Sequence, residues 1–399
     1  MSKKNVPMLR FEGFSDAWEQ RKLGTCVKFL NGKAYKQQEL LDVGKYRVLR
    51  VGNFNTNDKW YYSNLELDEN KYANSGDLLY LWATSFGPEI WNEEKVIYHY
   101  HIWKLEVTDN SIDKHYLYTW LLTDKERIKQ STNGSTMIHI TKGNMEEREF
   151  KFPVDITEQK KIGSFFQKLD DTLALHQRKL EQLKRLKQGF LQVLFANETN
   201  VPKMRFAGFT EEWEQRKVVQ IAKDTYGGGT PKTSIKKFWN GDIPWIQSSD
   251  LETNRLFNVS PKKRITDEAV QKSATKIIPS NSIAIVTRVG VGKLALMSFE
   301  YATSQDFLSL SELQVDPYFG IYSLYTMLQK DLNNIQGTSI KGMTKSDLLV
   351  KKLTVPKSIE EQEKIGIFFK QLDDTLALNQ NKLSQLKNLK KALLQSMFI

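Results

Sequence analysis

Residues 161–195 read KIGSFFQKLDDTLALHQRKLEQLKRLKQGFLQVLF, and residues 364–398 read KIGIFFKQLDDTLALNQNKLSQLKNLKKALLQSMF. Extended back to Ile156 and Ile359, the two copies are identical at 26 of 40 positions with an offset of 203. A second repeat lies upstream of each: VPMLRFEGFSDAWEQRK (Val6–Lys22) matches VPKMRFAGFTEEWEQRK (Val201–Lys217) at 11 of 17 positions, at an offset of 195. The chain is therefore written A–X–B–A–Y–B, with X (Leu23–Pro153) and Y (Val218–Pro356) sharing little identity. Echoes remain between them, since SGDLLYLWATSFG (Ser75–Gly87) and PSNSIAIVTRVG (Pro279–Gly290) each run an apolar strand into a glycine loop. One scaffold carrying two different surfaces is the natural reading.

Both B segments predict long helices. Pro153 and Pro356 stop helix just upstream, and Asp155-Ile-Thr-Glu158 and Ser358-Ile-Glu-Glu361 are spaced as capping boxes. About 40 proline-free residues follow, enough for a helix of roughly 60 Å. Leu169, Leu173, His176, Leu180, Leu183, Lys187, Phe190 and Leu194 form a 4-3 heptad seam, matched by Leu372, Leu376, Asn379, Leu383, Leu386, Lys390, Leu393 and Met397. Two equivalent apolar stripes in one chain are expected to cover each other, with polar His176 and Asn379 fixing the register. A second edge, Leu175, Leu186, Leu191 and Leu378, Leu389, Leu394, is expected to meet a partner protein in part. The Asp170-Asp171 and Asp373-Asp374 pairs read as solvated helix charges or partner-facing ion pairs, because adjacent helical residues point ~100° apart.

The 399 residues exceed what one core usually serves and favour two domains. Hydrophobic residues at 40% and aromatics at 11% are globular proportions. The net charge of +11 suits a polyanionic partner. That excess is uneven: residues 217–355 carry 18 Lys and Arg against 12 Asp and Glu, whereas residues 22–155 carry 18 against 19. Cys26, the single cysteine, excludes an internal disulfide framework and a multi-cysteine zinc site, and fits a reducing cytoplasm. No run approaches the ~18 apolar residues of a membrane span, and no export signal is expected.

Motifs for chemistry are weak. Asp316-Pro-Tyr-Phe319 lacks the second proline of an amino-methyltransferase motif and reads as a turn, and Gly290-Val-Gly-Lys293 lacks the rest of a phosphate-binding loop. His99 and His101 share one face of a strand at a spacing compatible with metal, but no further ligand completes a set, so a surface or DNA-contacting pair is expected. No catalytic residue, metal site or bound cofactor is expected in this chain.

The repeated RFEGFSDAWEQRKLG and EQKKIGSFFQKLDDTLALHQRKLEQLKRLKQGFL frames, with GGGTPKTSIKKFWNGDIPWIQSSDL entering the second half, closely resemble the specificity subunit of type I restriction-modification enzymes. The resemblance covers essentially the full chain. It implies an α/β (α+β) architecture: two globular target-recognition domains, 1–155 and 198–356, separated by two long helices, 156–197 and 357–399, that form an antiparallel coiled coil with a pseudo-twofold repeat. It further implies that each domain reads one half of a bipartite site in double-stranded DNA. The helices would set the spacer as a ruler and dock two modification subunits that methylate adenine. Up to two restriction subunits would join for cleavage, with S-adenosylmethionine, ATP and Mg bound by the partners.

On that reading lysine and arginine neutralise phosphates while amides and hydroxyls read base edges. Candidates in the second domain are Thr230, Lys232, Gln247, Ser248, Ser249, Asp250, Thr287, Arg288, Lys341 and Lys345. Those in the first are Lys33, Tyr35, Asn53, Asn55, Trp82, Ser85, His139 and Lys142. The first half shows no evident match for the Thr-Pro-Lys and Ile-Pro-Trp motifs, having NGKAYKQQEL and YRVLRVGNFN instead. The competing readings are a self-contained DNA methyltransferase or nuclease, and a coiled-coil scaffold with no DNA role.

Overall fold

The computed structural model describes residues 6–55, 57–83, 85–131, 140–196, 200–334 and 343–398. The chain divides into two compact units, Met1–Gln177 with Asn381–Ile399, and Arg178–Gln380. The division falls inside both long helices, so each unit contains part of each helix; the second unit is one continuous segment, whereas the first joins two separate segments.

In the first unit, β1 (Glu19–Lys22) leads through a single turn α1 (Leu23–Cys26) into β2 (Val27–Asn31), β3 (Tyr46–Leu49), β4 (Tyr61–Ser63) and β5 (Tyr72–Ala73). Strands β6 (Leu78–Trp82), β7 (Phe86–Ile90), β8 (Val96–Tyr98) and β9 (Ile102–Val107) follow, then helix α2 (Lys114–Ser131), helix α3 (Lys142–Glu146), β10 (Glu149–Phe152) and the 39-residue helix α4 (Ile156–Leu194). An antiparallel sheet runs β2-β9-β6-β7, a second runs β4-β3-β8-β5 with β3 and β8 parallel, and β1 pairs with β10. Strand β6 lies between two cores, and its period-2 alternation decides which residue enters which. Leu78 and Tyr80 join Phe29, Trp103, Trp120 and Phe150, whereas Leu79 and Leu81 join Leu49, Trp91 and Tyr98.

The second unit repeats this plan despite the low identity of X and Y. Its elements are β11 (Glu214–Lys217), β12 (Ala222–Gly227), β13 (Trp239–Ile246), β14 (Lys263–Ile265), α5 (Asp267–Gln271), β15 (Ser282–Val286), β16 (Leu294–Met297), β17 (Ala302–Thr303) and β18 (Phe307–Leu313). Helix α6 (Pro317–Asn334), α7 (Lys345–Val350), β19 (Lys352–Val355) and the 39-residue α8 (Ile359–Met397) complete it. The sheet order β12-β18-β15-β16 reproduces β2-β9-β6-β7, and the parallel β13-β17 pair reproduces β3-β8. Strand β15 is likewise buried on both faces, Ile283 and Ile285 toward one core and Ala284 and Val286 toward another.

Each unit is fastened to its long helix by the same contacts. Arg10 donates from Nε and Nη2 to the two oxygens of Glu158 at 2.6 and 2.7 Å, and Arg205 does so to Glu361 at 2.6 and 2.8 Å. Both glutamates are buried. This corrects the capping-box expectation: Ser358 Oγ does accept the Glu361 N–H at 3.3 Å, but the glutamate carboxylates bind an arginine of the A segment instead of turning back on their own helix. The next residue is also shared, since Gln159 and Gln362 accept the backbone N–H of Asp113 and Asp316, each at 2.8 Å. Asp316 then caps α6 by accepting the Phe319 N–H at 2.7 Å, with Pro317 at the first helical position. That is the structural role of the Asp-Pro-Tyr-Phe stretch. A Cβ on Gly163 would lie 2.8 Å from Tyr116 N, and one on Gly366 would lie 2.7 Å from Phe319 N. Only glycine lets the long helix approach the start of α2 or α6 so closely.

The halves of the long helices run antiparallel within each unit. In the first, Asp170 pairs with Lys390 at 2.5 Å and Phe166 lies 5.9 Å from Phe398. In the second, Lys187 pairs with Asp373 at 2.5 Å and Phe190 lies 5.0 Å from Phe368. The first aspartate of each Asp-Asp pair is therefore half-buried and paired with the lysine of the heptad seam of the other helix. The seam residues Leu169, Leu173, His176, Leu180 and Leu183, with Leu372, Leu376, Asn379, Leu383 and Leu386, are all buried or half-buried. Of the second apolar edge, Leu191 is buried and Leu394 half-buried, while Leu175, Leu186, Leu378 and Leu389 are exposed. No helix among the described residues is long and apolar enough to cross a membrane.

The buried ion pairs give a direct stability test. Glu361→Ala strands Arg205 without its counter-charge and is expected to destabilise the chain by about 3 kcal/mol or more. The Arg205→Met, Glu361→Leu double variant is expected to lose much less. Urea denaturation of both variants and of the parent chain checks the difference.

Candidate nucleic-acid interface

Equivalent strands end in equivalent turns in the two units, and these turns collect most of the expected site residues. The first is a chain crossing. After β12, the Gly229 N–H donates to Thr303 O at 2.9 Å, and a Cβ on Gly228 would collide with the Ser304 carbonyl. After β2, the Lys33 N–H donates to Tyr98 O at 3.0 Å, and a Cβ on Gly32 would collide with the His99 carbonyl. This crossing sets the register between the halves: Gly-Gly-Gly-Thr-Pro-Lys (Gly227–Lys232) falls on Asn-Gly-Lys-Ala-Tyr-Lys (Asn31–Lys36). Exposed Thr230 and Lys232 thus have Ala34 and exposed Lys36 as counterparts. Lys33 instead pairs with Glu39 at 3.2 Å, and Tyr35 stacks on His99 with its hydroxyl buried and unpartnered.

The second turn follows β3 and β13. Ser304 N donates to Ile246 O and His99 N to Leu49 O, both at 2.9 Å, so residues 247 and 50 are equivalent. A 3-10 turn starts at each, capped alike: the Gln247 N–H donates to Asp250 Oδ2 at 2.9 Å and the Arg50 N–H to Asn53 Oδ1 at 3.0 Å. Gln247 Nε2 donates to Ser249 Oγ at 3.0 Å. The turn is braced from outside by Lys293 Nζ on Ser248 O at 3.2 Å and Lys262 Nζ on Ser249 O at 3.3 Å. Asn53 Nδ2 reaches Asn57 O and Lys59 O, and Asn55 Nδ2 donates to Ser85 Oγ at 3.2 Å.

Three of the expected readers are engaged within the protein. Asp250 is buried with one oxygen on the Gln247 N–H, and Asn53 uses both ends of its amide inside its own loop. Thr287 is buried, with its N–H and hydroxyl both given to Asp306 O at 2.8 and 3.0 Å. They shape the turns from within.

The hairpin after β15 carries Arg288, exposed, beside Val289 and a left-handed Gly290. Lys345, the first residue of α7 after its Thr344 cap, reaches back so that a Cβ on Gly227 would lie 2.8 Å from Nζ. Burial and the neighbouring Arg288 push the Lys345 ammonium below its ordinary value, against a smaller opposing pull from Asp306. Two cations held together in this way form a local surplus suited to a polyanion. Lys142 holds the same position on α3 after the Thr141 cap, and lies 3.7 Å from Glu146. His139 and Lys341 lie outside the described residues.

In the first unit the turn after β8 adds aromatic rings. Trp82 Nε1 donates to Tyr100 O at 2.9 Å, the Trp82 ring stacks on Trp103 with centroids 5.6 Å apart, and His101 meets its edge at 4.9 Å. His99 and His101 are 4.8 Å apart, and among the described residues no group of three or more His, Cys, Asp or Glu could hold a metal ion. In the second unit Gln305 and Asp306 stand where Tyr100 and His101 stand in the first. Lys36, Arg50, Tyr100, Lys262, Lys293 and Gln305 were thus missing from the residues expected from sequence. Aligning the halves on the glycine crossing would have found Lys36, but at that offset of 196 Arg50 falls on Ile246, one residue short of Gln247.

Residues 15–185 and 210–388 both match the family model described as type I restriction modification DNA specificity domain. The type I restriction enzyme MjaIX specificity subunit of Methanocaldococcus jannaschii is 31% identical over 213 residues, 51% of this chain and 47% of that protein. The MjaVIII specificity subunit of the same organism is 24% identical over 398 residues, 94% of this chain and 91% of that protein. The crystal structure of a type I restriction-modification S subunit from M. genitalium shares the fold with a TM-score of 0.65 over 99% of both chains, at 15% identity.

The histidine of the β8 turn is expected to make the first unit acid-sensitive. Burial, then His101 and Arg50, pull the His99 imidazole down to about 4. The unfolded chain, with His99 near its ordinary ~6.5, takes up the proton first. Its contribution to stability is complete above about pH 6.5 and is lost as pH falls toward 4. His99→Asn is expected to flatten that part of the profile, measured by urea denaturation between pH 4 and 7.5.

Proposed function

The chain belongs to the type I restriction modification DNA specificity family, and on that premise we propose that it is the targeting subunit of a methyltransferase and endonuclease complex, each unit reading one half of a bipartite site in duplex DNA. The observation that carries this reading is the repetition of one loop scaffold with different side chains: Ala34 and Arg50 in one unit stand where Thr230 and Gln247 stand in the other, and Tyr100 and His101 where Gln305 and Asp306 stand. Two copies of one reader would need identical loops. Two readers of unlike half-sites need identical frames and unlike loops.

Exposed Lys36, Lys232 and Arg288, with Lys345, supply phosphate contacts that position the protein without reading sequence. Gln247, Ser249 and Asn55 offer amide and hydroxyl groups to base edges. Catalysis belongs to partner subunits. Two modification subunits dock on the long helices, where exposed Leu175, Leu186, Leu378 and Leu389 provide apolar contact, and methylate adenine with S-adenosylmethionine. Up to two restriction subunits join them and use ATP and Mg. The complex acts in the cytoplasm.

With modification subunits present, footprinting is expected to show two protected half-sites whose affinity falls steeply with salt. No protection of any DNA sequence overturns the proposal. Leu183→Asp or Leu386→Asp is expected to abolish assembly and methylation at every site. Inserting whole helical turns into α4, ~5.4 Å each, is expected to change the spacer and leave both half-sites unchanged, as read by methylome sequencing.

A further inference from the structure

Resting on that reading, we infer that Arg50 is a specificity-determining residue of the first unit and reads a guanine in the first half-site. Its place in the fold is that of Gln247: both follow the strand that lies parallel to the turn-bearing strand, and both open the capped 3-10 turn. In neither case does the cap use the side chain of that residue. The side chain therefore projects from a backbone position that is fixed without it.

The guanidinium of Arg50 is held in a defined orientation. It lies 4.2 Å from the centre of the Tyr61 ring, and Nη2 donates to Lys59 O at 3.1 Å. Stacking on one face and a bond at one corner order the planar fork before any ligand arrives. Its electrostatic needs are unmet. Among the described residues no carboxylate pairs with Arg50, whereas Arg47, three residues earlier, has both Glu93 and Glu94. Neighbouring His99 supplies no negative charge, and Arg50 helps to keep it neutral. A half-buried, stacked cation with spare donors and no counter-charge calls for an acceptor from outside the protein.

Two acceptors of nucleic acid fit a guanidinium. A phosphate would suit any basic side chain, but a stacked planar fork at the position of an amide reader suits the O6 and N7 of guanine, which arginine takes with two parallel hydrogen bonds in the major groove. The equivalent residue then matches by type, since glutamine pairs in the same manner with N6 and N7 of adenine.

The test uses the whole chain assembled with its modification subunits and measures methylation of oligonucleotides carrying every base at each position of both half-sites. Arg50→Ala is expected to lose roughly 5–150-fold discrimination at one G·C pair of the first half-site, the span that one bidentate base contact is worth. Arg50→Gln is expected to shift preference at that pair toward adenine. Both are expected to leave discrimination in the second half-site intact, which shows that the variants are folded and assembled. Full discrimination by Arg50→Ala at every G·C pair of the first half-site overturns the inference. So does a uniform loss on all sequences with the salt slope reduced by about one, the signature of a phosphate contact, and so does loss of the second half-site in both variants. If the unaltered chain discriminates at neither half-site, the targeting function itself fails, and this inference with it.

Discussion

A buried carboxylate cannot be left alone, and the organisation of each half of the chain follows from that constraint. Glu158 and Glu361 sit at the first turn of a long helix, out of reach of water. An unpaired ion there would cost several kcal/mol. Each is met by a bidentate arginine from an A segment, 148 residues away for Arg10 and 156 for Arg205. Closing that contact requires everything between the arginine and the glutamate to return to the helix start. The adjoining Gln159 or Gln362 then fixes the N-terminus of α2 or α6 through the backbone, and Gly163 or Gly366 allows the close approach. The repeated residues are those that fasten the two ends of a domain together, and the unrepeated ones lie on the loop of chain so enclosed.

The outer ends of the helices extend the same frame. Leu9 N donates to Ser396 O at 2.9 Å, and Met204 N donates to Val193 O at the same distance. These are one bond written twice, at the A offset of 195 for the donor and the B offset of 203 for the acceptor. Phe398 packs edge-on against Trp18, and Phe195 sits beside Phe319, which in turn meets Trp213. Each A segment is thus clasped between the end of one B helix and the start of the other. The first unit obtains its clasp from the far end of the chain, and the second obtains it from the residues just before.

What the sequence made legible is what local physics controls. Proline, a capping side chain and a 4-3 spacing act within a few residues, so the long helices and their seam could be read with their limits. The partners of Glu158, Asp170 and Asp373 could not. Their spacing matches a capping box or a solvated face equally well, and the deciding residue is more than a hundred positions away. The reading turns were harder for a different reason. Thr287 and Asp250 look like donors and acceptors for a base, but hydroxyl and carboxylate groups beside a tight turn often satisfy the backbone first. Arg50 went unrecognised because no residue near it resembles Ile-Pro-Trp-Ile. The equivalence lies in the crossing strand, where a glycine passes under a carbonyl, and single-residue constraints of that kind leave almost no pattern in sequence.

The same arrangement explains how one scaffold can carry unlike readers. In both units the 3-10 turn is held by the side chain three residues on, an amide in Asn53 and a carboxylate in Asp250, acting on a backbone N–H. The further contacts differ: Lys262 and Lys293 donate to turn carbonyls in one unit, while in the other no lysine does so among the described residues and Asn53 and Arg50 both donate outward to Lys59 O. What is constant is the backbone bond and the parallel strand beneath it. A side chain that takes no part in either can change from arginine to glutamine without disturbing the turn that aims it. Separation of the group that shapes the turn from the group that projects from it lets recognition diverge while the frame stays fixed.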